Sequence, residues 1–551
     1  MKSGFVKIFA INLILLVNCF SQTDAGNIPT VYFVDNLRRI LPDEKPQRSS
    51  SIELFAAKNE YEPFQIVIYG GDNGLRDVTV SVSDLRNSKG KIISSKNIVL
   101  YREHYIEIKT PSPKSSLGAG WYPDALIPFL DPYTGKQVTE GRFKAQPFEV
   151  GPGKNQPVWI EIYVPADSEA GEYTGTVTVK SQNFTQDLNY NLTVWNFRLP
   201  EQTTLRSWFG SFHRIAKAHK TETRSELYKT LEWRYSQALA NHRICPLIPS
   251  RLYPSINQDG SISVNTETLD ELKRWMKEFH ITGFPLRLIG SDPVGKDRDK
   301  NITYLRQMFT FLKTNGWEKY AYIYVLDEPN DADAYEQVRQ RAKLIHEAQP
   351  GIKVLCTEQP NPQKPEWGTL VGSVDIWVPL WPLFEEKYIA ERLAAGEEVW
   401  TYTALCQGGR GKDTPFWQID FPVLNYRVPM WISFRYGLHG LLYWTTVYWD
   451  KSEDVWTNPQ TYVSGKMPFN GEGSLFYPGS DVGIDGPVTS IRLKQIREGM
   501  EDFEYLELFK KVDKKRADEV VLKIARSWTD WEKRPEVIIE TRKQIGNILS
   551  R

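Results

Sequence analysis

The amino-acid sequence predicts a multidomain protein: an N-terminal antiparallel β-sandwich over residues 26–200, then a (β/α)8 TIM-like barrel over 201–551 that includes a helical C-terminal segment. Two observations lead there. Up to about Pro200, short alternating apolar runs are broken by Gly, Asn and Asp, the pattern of half-buried antiparallel strands. Beyond Arg206, strand-length apolar runs alternate with helix-length amphipathic ones, and they are as numerous as a closed parallel barrel requires, where a doubly wound sheet more often uses fewer. The length of 551 residues is enough for more than one substantial core.

Taken in order, residues 1–25 read as an export signal, with Lys2 and Lys7 ahead of FAINLILLV, a run too short to span a bilayer. Cleavage before Cys19 leaves a lipid-anchored bacterial protein, periplasmic or at the cell surface; cleavage near Thr23-Asp24-Ala25 leaves a free exported one. Asn18 is an unusual residue ahead of a lipidated cysteine. Sandwich strands are read at TVYFV, EPFQIVIYG, RDVTVSVSDL, KNIVLYREHYIEI, PVWIEIYV, GEYTGTVTV and LNYNLTVW, with a Gly- and Pro-rich excursion from Pro111 to Gly153 and a polar connector, LPEQTTLRS. Barrel strands are read at 207–213, 243–249, 284–290, 321–329, 353–358, 374–380, 398–405 and 440–449. After Gly486 the chain reads as helix, a closing helix and a tail.

Composition narrows the function. Lys plus Arg and Asp plus Glu number 68 each, which gives no pull toward nucleic acid or an anionic membrane surface. The 18 Trp, 27 Tyr and 25 Phe supply a large core and flat faces that stack on sugar rings. No Gly-rich dinucleotide fingerprint or phosphate loop follows the first barrel strand, so no cofactor is expected. The strand ends lack a two-His-plus-carboxylate spacing, so no metal is expected either. Cys245, Cys356 and Cys406 suggest no disulfide framework, and Asn183, Asn191 and Asn301 begin sequons that matter only in a glycosylating host.

The chemistry concentrates in YAYIYVLDEPN, residues 320–330, a buried-strand pattern that stops at two carboxylates and a proline. Pro329 ends regular pairing and is expected to hold Glu328 extended. At the C-terminal mouth of a parallel barrel such residues read as catalytic. Asp327 and Glu328 can face one site only if the strand is already breaking there. A carboxylic acid kept protonated by a neighbouring charge suits general-acid attack on a glycosidic oxygen, and the longer Glu328 takes that role. A retaining glycosidase also needs a nucleophile. Glu358, ending the fifth strand, is one candidate, and Asp450, just after the eighth, is close enough to keep in mind. The other solution is a 2-acetamido oxygen of the substrate itself, with Asp327 orienting and stabilising the acetamido nitrogen. Two adjacent carboxylates fit the second arrangement best.

The chain resembles glycoside hydrolase family 123 and related bacterial sequences grouped as a domain of unknown function. The resemblance rests on AAKNEYEPFQIVI (56–68), GWYPDALIPF (120–129), VWIEIYVPADSEAGEYTGTVTV (158–179), the YVLDEP core, GLHGLLYW (437–444), GEGSLFYPG (471–479) and SIRLKQIREGMEDFEYLELF (490–509). It implies a β-sandwich, a catalytic barrel and retaining exo-β-N-acetylgalactosaminidase activity through an oxazoline. By position it puts the acid/base on Glu328 and the acetamido-orienting carboxylate on Asp327.

Further substrate-binding candidates are Tyr402 and Tyr443 as hydroxyl donors to the acetamido carbonyl, Trp444, Tyr448 and Trp449 as a sugar floor, His213 at the end of the first strand, and Arg410 in the Gly-rich loop. Alternation places Trp444 and Tyr448 on one face and Trp449 on the other. Two other readings stand beside the first: a retaining glycosidase with a protein nucleophile acting on non-acetamido sugars, and a surface glycan-binding protein without catalysis. The expected partner is a glycan in each case.

Overall fold

Alternating sequences become strands that bury one face: in Leu75–Val82, Leu75, Val78 and Val80 are buried and the residues between them are largely exposed. The computed structural model describes residues 28–47, 49–210, 212, 214–405 and 412–551. The expected export segment with Cys19, and the candidates His213 and Arg410, lie outside the described residues.

Two seven-stranded sheets make up the N-terminal half. One carries Thr30–Val34, Glu60–Tyr69, Asn155–Val164, Ile98–Ile108 and Gly120–Pro128, in that order across the sheet. The other runs through Glu53–Lys58, Phe184–Arg198, Gly171–Ser181, Leu75–Val82 and Phe148–Val150. Pairing is antiparallel except between Phe184–Arg198 and Glu53–Lys58, which are parallel. The excursion expected from Pro111 to Gly153 is corrected: Gly120–Pro128 is a full strand paired with Ile98–Ile108. Its prolines hid the alternation, and a register slip that leaves Asp124 unpartnered in the ladder absorbs Pro123.

A second correction concerns the C-terminus. Phe476–Pro478 and Pro487–Ser490 are strands, and they complete the first sheet by pairing with each other and with Gly120–Pro128. Helix begins only at Ile491, where the Ser490 hydroxyl accepts the Leu493 N–H at 3.2 Å. The helix Ile491–Val512 is no surface tail. Every residue from Ile491 to Leu506 is buried, so its charged side chains are paired inside the protein. Arg492 meets Asp124 at 2.9 Å, and Lys494 and Arg497 meet Glu161 of the sandwich at 2.7 and 2.6 Å. Asp502 receives Arg427 at 2.6 and 2.8 Å from the helix Leu424–Tyr436. Gly499 makes that close approach possible, since a Cβ there would lie 2.6 Å from the Arg427 carbonyl oxygen. Burial opposes ionisation of Glu161, but Arg497 and Lys494 outweigh it and hold the carboxyl well below the usual range.

Between these elements lies a parallel sheet of seven strands: Arg206–Trp208, Gly440–Tyr443, Glu398–Thr403, Ile376–Trp377, Lys353–Cys356, Ala321–Leu326 and Phe284–Leu286, in spatial order. The strand expected at 243–249 is absent from the ladder. Pro246 and Pro249 offer no N–H for pairing. The segment instead bridges the two edge strands through side chains: the Cys245 N–H donates to Ser207 Oγ at 2.8 Å, and the Thr282 N–H to Cys245 Sγ at 3.4 Å. Tyr322, Leu355, Ile376, Trp400, Tyr402 and Leu442 pack together on the inner face.

Candidate active site

The strand Ala321–Leu326 alternates Tyr322 and Tyr324 toward the inner cluster. Its register with Lys353–Cys356 slips between Tyr324 and Leu326, and pairing stops there. The chain leaves the sheet at that point, so Asp327 and Glu328 both stand exposed at the C-terminal mouth. The expectation of an extended Glu328 is corrected: its φ is +41°, in the left-handed region that a non-glycine residue occupies at a cost of about 1–3 kcal/mol. The Glu328 N–H donates to Thr357 Oγ1 at 2.8 Å, which helps fix this conformation.

Thr357 is the hub of the site. Its hydroxyl also lies 3.0 Å from Asp327 Oδ1, and the Tyr324 hydroxyl donates to the same oxygen at 2.5 Å. Asp327 is therefore held through one oxygen. Burial pushes the Tyr324 phenol up, and the Asp327 charge adds to the shift, so Tyr324 remains a donor. Glu328 Oε1 accepts the hydroxyl of Tyr402, a buried residue of the strand Glu398–Thr403. Trp208 meets Tyr324 edge-on with ring centroids 5.8 Å apart. Asp327, Glu328 and Tyr402 are thus brought together.

Glu358 is placed differently. It is 4 % exposed, Gln359 Nε2 donates to its Oε1, and Tyr335 of the helix Ala332–Ala348 lies beside it. Burial pushes its carboxyl up to about 7; Tyr335 and Gln359 oppose the rise and the Glu328 charge adds to it. Tyr443 is fully buried behind the mouth, its oxygen accepting the Gly473 N–H at 2.7 Å and its hydroxyl 3.4 Å from Glu472 Oε1. Leu442, its neighbour, occupies the inner face instead.

Trp444 follows the end of the strand, is half-buried and packs against the cluster that holds Tyr443. Its indole N–H donates to Glu472 Oε1 at 2.8 Å, and its ring lies 4.8 Å from that of Tyr448. Gly473 closes the back of the platform, since a Cβ there would sit 2.4 Å from Trp444 Cζ2. Trp449 points away, its N–H donating to Ser474 Oγ at 3.0 Å and to the Phe476 carbonyl at 3.1 Å. Asp450 pairs with Arg214 at 2.8 Å, and Arg214 covers the Tyr448 ring at 4.4 Å.

The sandwich takes part in shaping this face. The Ser112 N–H and hydroxyl donate to the two oxygens of Asp420 at 2.6 and 2.7 Å, and Asn470 Nδ2 donates to the Thr110 carbonyl at 3.0 Å. Both braced segments follow strands of the parallel sheet. Sequence reasoning missed Tyr324, Thr357 and Glu472. Tyr324 was legible as the residue one turn of alternation before the acid pair. The other two carry no local signal, because each acts on a residue far from it along the chain.

Two family models match the chain: Glycoside hydrolase 123, catalytic domain, over residues 293–509, and Glycoside hydrolase 123 N-terminal domain over 36–181. Among solved structures, a family 123 glycoside hydrolase from Clostridium perfringens, studied for glycolipid glycan hydrolysis, superimposes with a TM-score of 0.69 at 16 % identity. The match covers 95 % of this chain and 97 % of that one, so the fold is shared from end to end. A β-glucuronidase from Parabacteroides merdae matches with a TM-score of 0.27 at 12 % identity, over 86 % of this chain and 52 % of that one. No curated protein matches the chain. With its catalytic and N-terminal segments both matched, the chain belongs to glycoside hydrolase family 123 and is a glycosidase.

Proposed function

We propose that the enzyme is a retaining exo-β-N-acetylgalactosaminidase-like hydrolase in which the substrate's 2-acetamido oxygen is the nucleophile. The observation that carries this reading is the division of roles within the acid pair. Asp327 is fastened through Oδ1 by Tyr324 and Thr357, while Glu328, one residue on, has a left-handed backbone and is met at Oε1, among the described residues, by Tyr402 alone. A carboxylate fixed by two hydroxyls suits an acetamido N–H, and the longer Glu328 side chain suits proton transfer to the glycosidic oxygen. In the first step the acetamido oxygen bonds to C1, the glycosidic C1–O bond breaks, and Glu328 gives its proton to the departing oxygen. Asp327 stabilises the oxazoline nitrogen. In the second step water adds to C1 and gives a proton to Glu328, while the C1–O bond of the oxazoline breaks and the 2-acetamido group is restored. Tyr402 positions Glu328 and Trp444 floors the sugar, on a sheet closed as a (β/α)8-type barrel by the 244–248 segment. Glu358 is the weaker nucleophile candidate because it is enclosed.

The test is a panel of aryl β-glycosides of GalNAc, GlcNAc, galactose and glucose, with an acetamido-thiazoline inhibitor alongside. Cleavage confined to an acetamido sugar and blocked by the thiazoline is expected. Cleavage of plain hexosides would transfer the nucleophile role to a protein carboxylate.

A further inference from the structure

The sandwich carries an exposed tryptophan. Trp121 is 47 % exposed at the start of Gly120–Pro128, and Leu117 and Leu41 beside it are 39 % and 40 % exposed. These three side chains line a cleft of about 440 Å³ together with Asp43 and Glu44. Large apolar side chains gathered at a surface mark a binding site more often than chance exposure does.

Both walls are built firmly. The Tyr122 hydroxyl donates to the Leu117 carbonyl at 2.8 Å and pins the loop that carries Leu117. On the opposite wall Asn155 Nδ2 donates to the carbonyls of Leu41 and Glu44 at 3.2 and 2.7 Å. The loop before Trp121 is anchored again by Ser115 Oγ, which donates to the Asp420 carbonyl at 2.8 Å. A cleft preformed in this way loses little entropy when a ligand enters.

We propose that this cleft is an accessory glycan-binding site, in which Trp121 stacks on the apolar face of a neutral sugar and Asp43 and Glu44 accept its hydroxyls. Asp43 pairs with Lys154 and Glu44 with Arg38 at 3.3 Å, so the rim offers hydroxyl acceptors and donors around an indole without a net charge. That matches a neutral polyhydroxylated ring with one C–H face and gives no pull toward an anionic lipid surface. The proposal rests on the reading that the enzyme acts on glycans, and it adds a place to hold the chain away from the scissile bond. Ser112 and Ser115 tie the loop beside the cleft to Asp420, in the segment between Glu398–Thr403 and the helix Leu424–Tyr436.

The experiment uses the full chain with Glu328→Gln, titrated calorimetrically with a neutral tetrasaccharide ending in β-linked N-acetylgalactosamine and applied to immobilised asialo-mucin, with Trp121 intact, as Trp121→Ala and as Trp121→Phe. Trp121→Ala should weaken retention at least tenfold and Trp121→Phe should restore most of it. In the Glu328 background, Trp121→Ala should leave aryl-glycoside turnover unchanged, which also shows that the variant folds. Equal retention with and without Trp121 would overturn the proposal. So would Trp121-dependent binding to phosphatidylcholine vesicles without binding to the glycan, or a parallel loss of aryl-glycoside turnover. Trp121-dependent retention by a protein that cleaves no aryl glycoside would sustain this site and sink the functional reading instead.

Discussion

Two regions of this enzyme are rich in carboxylates, and they are built in opposite ways. Where the strand Ala321–Leu326 ends, Asp327 and Glu328 are exposed, face no cation among the described residues and depend on hydroxyls for orientation. Along the helix Ile491–Val512 buried charges are paired, as in Arg492 with Asp124 and Arg427 with Asp502, and Glu504 is met by Thr204. The first arrangement leaves charge available to a substrate. The second uses it up in holding the sandwich to the parallel sheet. A buried pair adds little net stability over an apolar one, but removing one partner strands a charge.

The contrast predicts separable phenotypes. Glu328→Gln should lower turnover of natural glycans by about 10²–10⁴ with an unchanged melting temperature, and most for poor leaving groups. Asp327→Asn should impair even good leaving groups; an unaltered rate with an activated aryl glycoside would break the division of roles. Arg492→Met should do the reverse, destabilising the protein by about 3 kcal/mol in chemical denaturation, because buried Asp124 would keep only Arg39, at 3.8 Å, and the Tyr477 hydroxyl. A melting temperature indistinguishable from the parent would show the seam to be dispensable. Thr357→Val should lower kcat by about tenfold, on the scale of 1–1.5 kcal/mol for a lost hydrogen bond, with KM nearly unchanged. Restoration by Thr357→Ser would separate a positioning role from a packing one.

The smallest effect concerns pH. Glu103 is fully buried, and burial pushes its carboxyl up to about 8 despite the opposing Arg39. Because the folded value lies above the unfolded one, the native state holds the extra proton between roughly pH 4.5 and 8, and stability from this group falls as pH rises through that window. Glu103→Gln should therefore raise the melting temperature at pH 8 by a few degrees and leave it nearly unchanged at pH 5. An equal gain at both pH values would point to packing rather than titration.

The acid pair was legible because YAYIYVLDEP places it at the end of an unmistakable apolar run, and most of the parallel strands were legible for the same reason. Their lengths were overread, since mouth residues such as Trp444 keep the strand composition after pairing ends at Tyr443. The seam was not legible. IRLKQIREGMEDFEYLELF has the charge of a surface helix, and only the facing Glu161, Asp124 and Arg427, each distant in sequence, reveal it as interior. Tyr443 and Trp444 show the same limit at finer scale. Adjacent aromatics look equivalent in sequence, and only the folded contacts leave Trp444 half-buried while Tyr443 is enclosed, although both reach Glu472.

The measurement closest to the central claim is the rate on aryl glycosides whose 2-acetamido group carries zero, one, two or three fluorines. Fluorination withdraws electrons from the carbonyl oxygen while barely altering its size. If that oxygen is the nucleophile, kcat/KM should fall steeply and monotonically along the series, and Asp327→Asn should depress the whole line. A flat series in the parent enzyme would contradict the account and return the nucleophile to a protein side chain.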